Sequence, residues 1–440
     1  MTLNLSNRRQ FLTSTASAFA ALMASGCMTR NADSNASHGY GPLRPDPNGF
    51  LDLPEGFSYK VLSSLGDKMN DGGTVPDKAD GMGCLDIGNG EIVLVRNHEL
   101  IASDDSGGEI LKGFGTHQGS ILPGGTTNIV LDAETLEVKR QFRTLGGTIR
   151  NCSGGITPWG SWLTCEEAPT GPGQKYGEGL AINHGWVFEI PGDAKGLIDP
   201  VPIRAMGRFN HEAACVDPET GFVYLTEDKD DSVLYRFIPN TAGVLAEGGK
   251  LQAMAIDGLP DTRNWEKPSM TEGQTHKIRW IDLENVEAPK DDLRKRAAEK
   301  GATLIARGEG IHMGQDELYF CSTSGGAKKL GQIFRLVPGR NGAADKLDLF
   351  FESESKTQFN YGDNLCVSPN GHLIVCEDQY TAIVDNYLRG ITPSGLPYDF
   401  GRLRLQTELA GGCFSPDGKW FFVNAYSPTR TVAITGPWKT

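Results

Sequence analysis

Past its first 27 residues the chain has no apolar run long enough to cross a bilayer, which excludes internal helical membrane spans. Long helix-forming runs are few as well, while Gly (56) and Pro (24) are plentiful. Bundles and doubly wound α/β folds are therefore a poor match, and a turn-rich all-β protein is expected. Positive charge is in deficit: 42 Lys and Arg face 55 Asp and Glu, a formal net charge of -13. That balance argues against nucleic acid or an anionic membrane surface as a partner. It is compatible with a carboxylate-rich cation site. A length of 440 residues is large for one domain but within reach of a closed β architecture.

Residues 1–27 read as an export signal. Asn7-Arg8-Arg9-Gln10-Phe11-Leu12 is a twin-arginine pattern, followed by a small-residue apolar run to Ala24-Ser25-Gly26-Cys27. Export of the folded protein by the Tat machinery implies a periplasmic or secreted location. Cys27 reads equally as a lipid-attachment site, giving a membrane-anchored lipoprotein, and as the end of a simply cleaved signal. Residues 28–48 are rich in Ser, Asn, Gly and Pro and read as a flexible tether. Residues 49–440 remain as one folded domain, expected as a monomer. Cys165, Cys215, Cys321, Cys366 and Cys376 sit inside apolar strand patterns and read as buried small hydrophobes.

Self-similarity organises that domain. Six times, an apolar strand meets a tight turn and a second strand leaves it. The turns are Asn89-Gly90, Pro158-Trp159-Gly160, Asp217 to Gly221, Gly314 to Asp316, Ser368 to Gly371 and Ser415 to Gly418. Several hairpins are followed by a third apolar strand, such as Gly185–Ile190, Val233–Ile238 and Gln332–Val337. Strand, turn, strand and further strand is the unit of a propeller blade. The expectation is a six-bladed β-propeller with an inserted helical and loop segment at 240–306. Within it, Asp291 to Gly301 reads as a solvated surface helix.

In a propeller the inner strand of each blade lines the channel, so the residues flanking the six hairpins converge on one opening. They include Asp80, His98, Glu99, Cys152, Glu166, Glu167, His211, Glu212, Glu227, Asp228, Glu309, Asp363, Glu377 and Asp378. Like charges in such number repel unless some are protonated, turned to solvent or neutralised by cations. Carboxylates favour Ca²⁺ or Mg²⁺, and a thiolate among them favours a transition metal, so more than one kind of metal is expected. Cys152, Glu212, Glu309 and Asp363 share one register at the start of an inner strand, which favours ligation for that group. Glu166 and Glu167 end the hairpin that starts at Cys152, and either or both suit a ligand. Glu99 reads equally as ligand and as loop carboxylate, and His98 as a backbone-bonded side chain. In Glu227 to Asp231 a solvated acidic loop competes with ligation, with Glu227 best placed. Arg307, two residues before Glu309, suits an anionic group such as phosphate or a salt bridge to the acidic rim. Arg208 is a second candidate.

The stretch Asn151 to Glu167 and the run Leu94-Val-Arg-Asn-His-Glu99 resemble the PhoX-type alkaline phosphatases, a secreted propeller family. Gly124-Gly-Thr-Thr127, Gly207-Arg-Phe-Asn-His-Glu212, Arg307-Gly-Glu309 and Asp363-Asn364 extend the resemblance over most of the chain from Leu53 onward. It implies iron (Fe³⁺) and calcium in the channel and a small phosphate monoester as substrate. Cys152 would be the thiolate on iron. Glu212, Glu309, Asp363 and one or both of Glu166 and Glu167 would be metal carboxylates, and Arg307 would hold the phosphate. The sequence departs from the family pattern at Gly308 and Gly310, where a proline and an aromatic flank the glutamate. A calcium-dependent propeller hydrolase of another ester class, lactonase-like, and a non-catalytic calcium-stabilised binding propeller are the competing readings.

Overall fold

The computed structural model describes residues 38–378, 384 and 386–438. The twin-arginine pattern and Cys27 lie outside the described residues. Six antiparallel hairpins each begin a sheet, and each sheet is one blade. The inner strands are Ala79–Gly88, Asn151–Ile156, His211–Val216, Gly308–Met313, Gly362–Val367 and Leu409–Phe414, for blades 1 to 6. Their second strands are Glu91–His98, Ser161–Glu166, Val223–Glu227, Leu318–Ser322, Leu373–Glu377 and Phe421–Ala425. Third strands follow at Val187–Pro191, Tyr235–Pro239 and Gln332–Val337, close to where the sequence places them. The ring is closed by the N-terminal segment: Ser58–Ser64 pairs with Arg430–Thr435 as the outer strand of blade 6.

Strand side chains alternate between the two faces of a blade, and in a propeller each face meets a neighbouring blade. The core is accordingly divided into wedges between neighbours. Val93, Val95 and Phe142 of blade 1 pack against Trp162, Trp186 and Phe188 of blade 2. Leu163 and Val187 meet Leu225, Tyr235 and Phe237 of blade 3. Phe421 and Val423 of blade 6 meet Ile374 and Leu388 of blade 5, while Phe422 and Ala433 meet Leu94 and Ile129 of blade 1. The eight cysteines among the described residues are free and buried, including the five expected as core residues.

Two expectations are corrected. Residues 38–48, read as part of a tether, are built into the propeller: Leu43–Arg44 pairs with Leu51–Pro54, and the Tyr40 ring lies 4.9 Å from Phe57. The 240–306 insert is less separate than its polarity suggests. Gly249–Ala255 and Arg279–Asp282 extend blade 3, and Thr275–Lys277 extends the sheet of blade 4. The helix, Leu293–Glu299, is the one α-helix among the described residues. It is not a solvated surface element, because it buries Leu293, Arg294 and Ala297.

Candidate metal centre at the channel mouth

All six inner strands carry a β-bulge at one place. Pairing jumps from Ala79 to Met82, Asn151 to Gly154, His211 to Ala214, Gly308 to Ile311, Gly362 to Leu365 and Ala410 to Cys413. A bulge leaves a residue outside the ladder and re-aims its side chain. In blades 1 to 5 the second residue of the strand is Asp80, Cys152, Glu212, Glu309 and Asp363, and all five line one cavity of about 230 Å³. Blade 6 has Ala410 and Gly411 there and contributes no ligand atom from that position.

A second tier comes from the residue just after each second strand. Glu99, Glu167, Asp228, Thr323, Asp378 and Tyr426 each donate the backbone N–H to a carbonyl at the approach to an inner strand, of Lys78, Arg150, Asn210, Arg307, Tyr361 and Glu408 respectively. This sixfold clasp turns Glu99, Glu167, Asp228, Asp378 and Tyr426 into the cavity, where Arg150, Arg307 and Glu408 join them. The lining thus holds nine carboxyl groups, one thiol and two guanidiniums.

That imbalance governs the protonation of the bare site. Burial, reinforced by neighbouring carboxylates, drives the carboxyls of Asp80, Glu212 and Glu309 well above their ordinary values. Burial pushes Glu167 up to about 8 and Asp363 up to about 7. Burial, then Asp80 and Glu212, also pushes the Cys152 thiol well up. Its sulfur lies 3.3 Å from Glu212 Oε1 and 3.6 Å from Asp80 Oδ2. Asp228 is the exception: although burial opposes ionisation, hydrogen bonds from Arg307 hold its carboxyl below the ordinary value.

The donor set fits cations. Asp80 Oδ1 and Asp378 Oδ1 are buried without a hydrogen-bond partner, an expensive condition that an ion relieves. Three groups bring ligand atoms within 4.8 Å of one another: Glu99, Cys152 and Glu167; Glu212, Glu309 and Asp363; Asp363, Asp378 and Glu408. Asp363 belongs to two of them. The group with sulfur suits a transition metal and the all-carboxylate groups suit a hard cation.

Two arginines stand over these groups. Arg307 is bidentate to Asp228 (2.6 and 3.1 Å) and reaches Glu309 Oε1 at 2.9 Å. Arg150 spans Glu99 (2.7 Å) and Glu167 (2.5 Å). Both adopt a left-handed backbone, with φ of 50° and 49°. Gly310 has a local cause too: a Cβ there would lie 2.6 Å from Leu365 N and 2.7 Å from Asp363 O, in the next blade. Below this level the channel opens into a larger cavity of about 530 Å³ at the turn end of the same hairpins, lined mainly by glycine and apolar side chains.

Of the sequence candidates, Arg307, Cys152, Glu167, Glu212, Glu309 and Asp363 face the acidic cavity, as do Asp80, Glu99, Asp228 and Asp378. Six others, Glu166, Glu227, Arg208, His98, His211 and Glu377, do not. Glu166 is turned into the protein, where it accepts from Ile149 N (3.0 Å), Gly185 N (2.8 Å), Trp186 N (3.1 Å) and His184 Nδ1 (2.7 Å). Glu227 accepts from the Tyr235 hydroxyl (2.7 Å) and Arg294 (3.3 Å), and so anchors the helix instead of a metal. Arg208 is buried and ties loops together by donating to His184 O (2.6 Å) and Gln174 Oε1 (2.8 Å). His98 is held by Asp77 O and Thr127 Oγ1, as a backbone-anchoring histidine. Arg150, Glu408 and Tyr426 carried no sequence signal of their own. Aligning the doublets His98-Glu99, Glu166-Glu167, Glu227-Asp228 and Glu377-Asp378 would have marked the second member of each as the inward one.

Fold and site together define a β-propeller whose channel carries, at one mouth, three groups of side chains that could each hold a metal ion. A family model, Alkaline phosphatase PhoX, matches residues 38–132 and 124–429. The chain belongs to that family and is a phosphatase. A comparison with curated proteins finds no match. Among solved structures, PhoX of Pseudomonas fluorescens in complex with vanadate, a transition state analogue, is 20% identical with a TM-score of 0.68, covering 88% of this chain and 96% of that one. A gluconolactonase from Xanthomonas campestris is 13% identical with a TM-score of 0.43, covering 91% and 99%. The first of these supports the propeller fold.

Proposed function

We propose that the protein is an exported, metal-dependent hydrolase of phosphate monoesters that uses iron and calcium. The observation that carries the reading is the convergence of one thiol, nine carboxyl groups and two arginines on one cavity of about 230 Å³. Cys152 with Glu99 and Glu167 would hold iron, and the groups built on Glu212, Glu309, Asp363, Asp378 and Glu408 would hold calcium. Bound cations would supply Lewis-acid stabilisation of the phosphoryl oxygens.

The chain's own residues do the rest. Arg307 lines the cavity, and with Nε and Nη2 held by Asp228 and Glu309 its Nη1 is the nitrogen left to meet a phosphoryl oxygen. Those bonds fix the orientation of the guanidinium before substrate arrives. Cys152 would hold such a cation as the thiolate, since a coordinating thiol is ionised. The lower tier of Asp80, Cys152, Glu212, Glu309 and Asp363 is buried, which keeps its ligand atoms away from bulk water. Tyr426, whose hydroxyl donates to Glu99 Oε2 at 2.7 Å, fixes one carboxylate of the thiol group. The pattern from Asn7 to Leu12 supports Tat export to the periplasm or beyond, with lipid attachment at Cys27 as one form of the mature protein.

Hydrolysis of a generic aryl phosphate by protein carrying its native metals tests this reading. Phosphate release, competition by vanadate, and loss of turnover on chelation are expected. Hydrolysis of a lactone without any phosphate release would overturn it.

A further inference from the structure

We infer that Asn97 is a positioning residue that sets the Cys152 sulfur, and that it is one member of a ring of such residues behind the channel. The inference rests on the reading of Cys152 as a ligand. Asn97 is the residue before last of its strand and is completely buried. Its side-chain amide donates to Cys152 O at 3.0 Å and to Ser153 O at 2.8 Å. Its side-chain oxygen accepts from Trp162 Nε1 and Thr164 Oγ1, both at 2.9 Å. Two donors and two acceptor positions are all the side chain has, and all are used. Every partner lies in the next blade.

The reason such a group is needed lies in the bulge. Pairing of blade 2 jumps from Asn151 to Gly154, so Cys152 and Ser153 fall outside the ladder. Buried backbone carbonyls there require donors from elsewhere. Asn97 supplies them and so fixes the peptide from which the thiol projects.

The same arrangement recurs at equivalent positions. Thr226, before last in the second strand of blade 3, donates to Glu309 O of blade 4 at 2.6 Å. Asn424, before last in blade 6, donates to Asp80 O of blade 1 at 2.7 Å. Cys165, Cys321 and Cys376 fill that position in the other three blades. Each blade thus places a small side chain behind the bulge of the next, and in three cases it bonds the carbonyl of the very residue that lines the channel. The polar members therefore form an outer shell acting through backbone, a role that orients metal ligands without touching the metal.

Asn97→Asp keeps the acceptor toward Trp162 and Thr164 and removes the amide donors. Thr226→Val is isosteric and removes one donor, and Thr226→Ser restores it. Three readouts are measured: metal retained against a competing chelator, the visible thiolate-to-iron absorption, and the alkylation rate of Cys152 in metal-free protein. Asn97→Asp is expected to weaken retention about 10- to 100-fold, as loss of an outer-shell partner does. It should also shift the absorption and accelerate alkylation of Cys152 several-fold. Thr226→Val should weaken retention of the hard cation and leave the thiolate absorption in place, with Thr226→Ser restoring retention. Wild-type retention, absorption and alkylation in a folded Asn97→Asp protein overturn the inference, as does Thr226→Val matching wild type if Asn97→Asp does not fold. Wild-type protein without metal overturns instead the reading of the site on which it rests, so the two failures are distinct.

Discussion

Metal-free protein should become less stable as pH rises, and one neutral substitution should remove part of that loss. Burial holds the Glu167 carboxyl up at about 8, with Asp228 and Glu99 adding to it and Arg150 opposing, against an ordinary value of 4.5. A carboxyl raised in the folded state keeps its proton there after the unfolded chain has lost it. Its contribution to stability is complete below about 4.5 and is lost as pH rises through about 8. The gap between those values corresponds to on the order of 5 kcal/mol. Glu167→Gln resembles the protonated carboxyl at every pH. The stability difference between metal-free variant and metal-free wild type should therefore grow in the variant's favour by about 4 kcal/mol from about pH 5 to about pH 8.5. His98, His211 and His312 are held neutral by burial, which gives stability a rising pH dependence, but they act equally on both proteins and cancel in the difference. Urea unfolding of chelator-treated proteins at several pH values gives the quantity directly. Reloading with iron and calcium should reverse the order, because the amide is a poorer ligand. A difference that stays flat with pH would refute the reasoning.

Arg307→Ala should lower kcat/KM for an aryl phosphate about 10²- to 10³-fold, the cost of losing a donor to a transition-state oxyanion. Arg208→Ala should leave kcat/KM in place and lower stability by about 1–3 kcal/mol, since it strands buried carbonyls. Cys152→Ser should lose iron and turnover while circular dichroism and the carboxylate-bound calcium persist; full turnover in that variant would remove Cys152 from the mechanism. Glu166→Gln should lower stability by about 1–3 kcal/mol through its lost backbone hydrogen bonds yet leave metal content unchanged, the reverse of Glu167→Gln in loaded protein.

The hairpins were legible because their turns are written in local chemistry, from Asn89-Gly90 to Asp417-Gly418, and their strands in apolar runs. The shared register of Cys152, Glu212, Glu309 and Asp363 was legible for the same reason. What the sequence hides is direction. Side chains along a blade strand face neighbouring blades, and the channel is neither of those directions. The bulge early in the inner strand, the turn of the chain just past the second strand and the residue just before the inner strand point side chains into the lumen. So Glu166 and Glu167 look interchangeable in sequence, while in space one is buried against His184 and the other lines the cavity. Glu227 and Asp228 divide in the same way. Arg150 and Glu408 are not legible because each immediately precedes an inner strand, in loops whose course depends on the clasp with the next tier. The helix at 293–299 was misjudged because Arg294, a surface residue by type, is drawn inward by Glu227, Asp231 and Asp291.

Hydrolysis of phosphate monoesters by one mixed-metal site at the channel mouth is the proposal on which the rest depends. Elemental analysis and release of phosphate from an aryl phosphate, measured on one preparation purified without added metal, test it most directly. Iron together with calcium is expected, with turnover that falls in step with metal when either is stripped. Calcium alone, with no phosphate released, would contradict it.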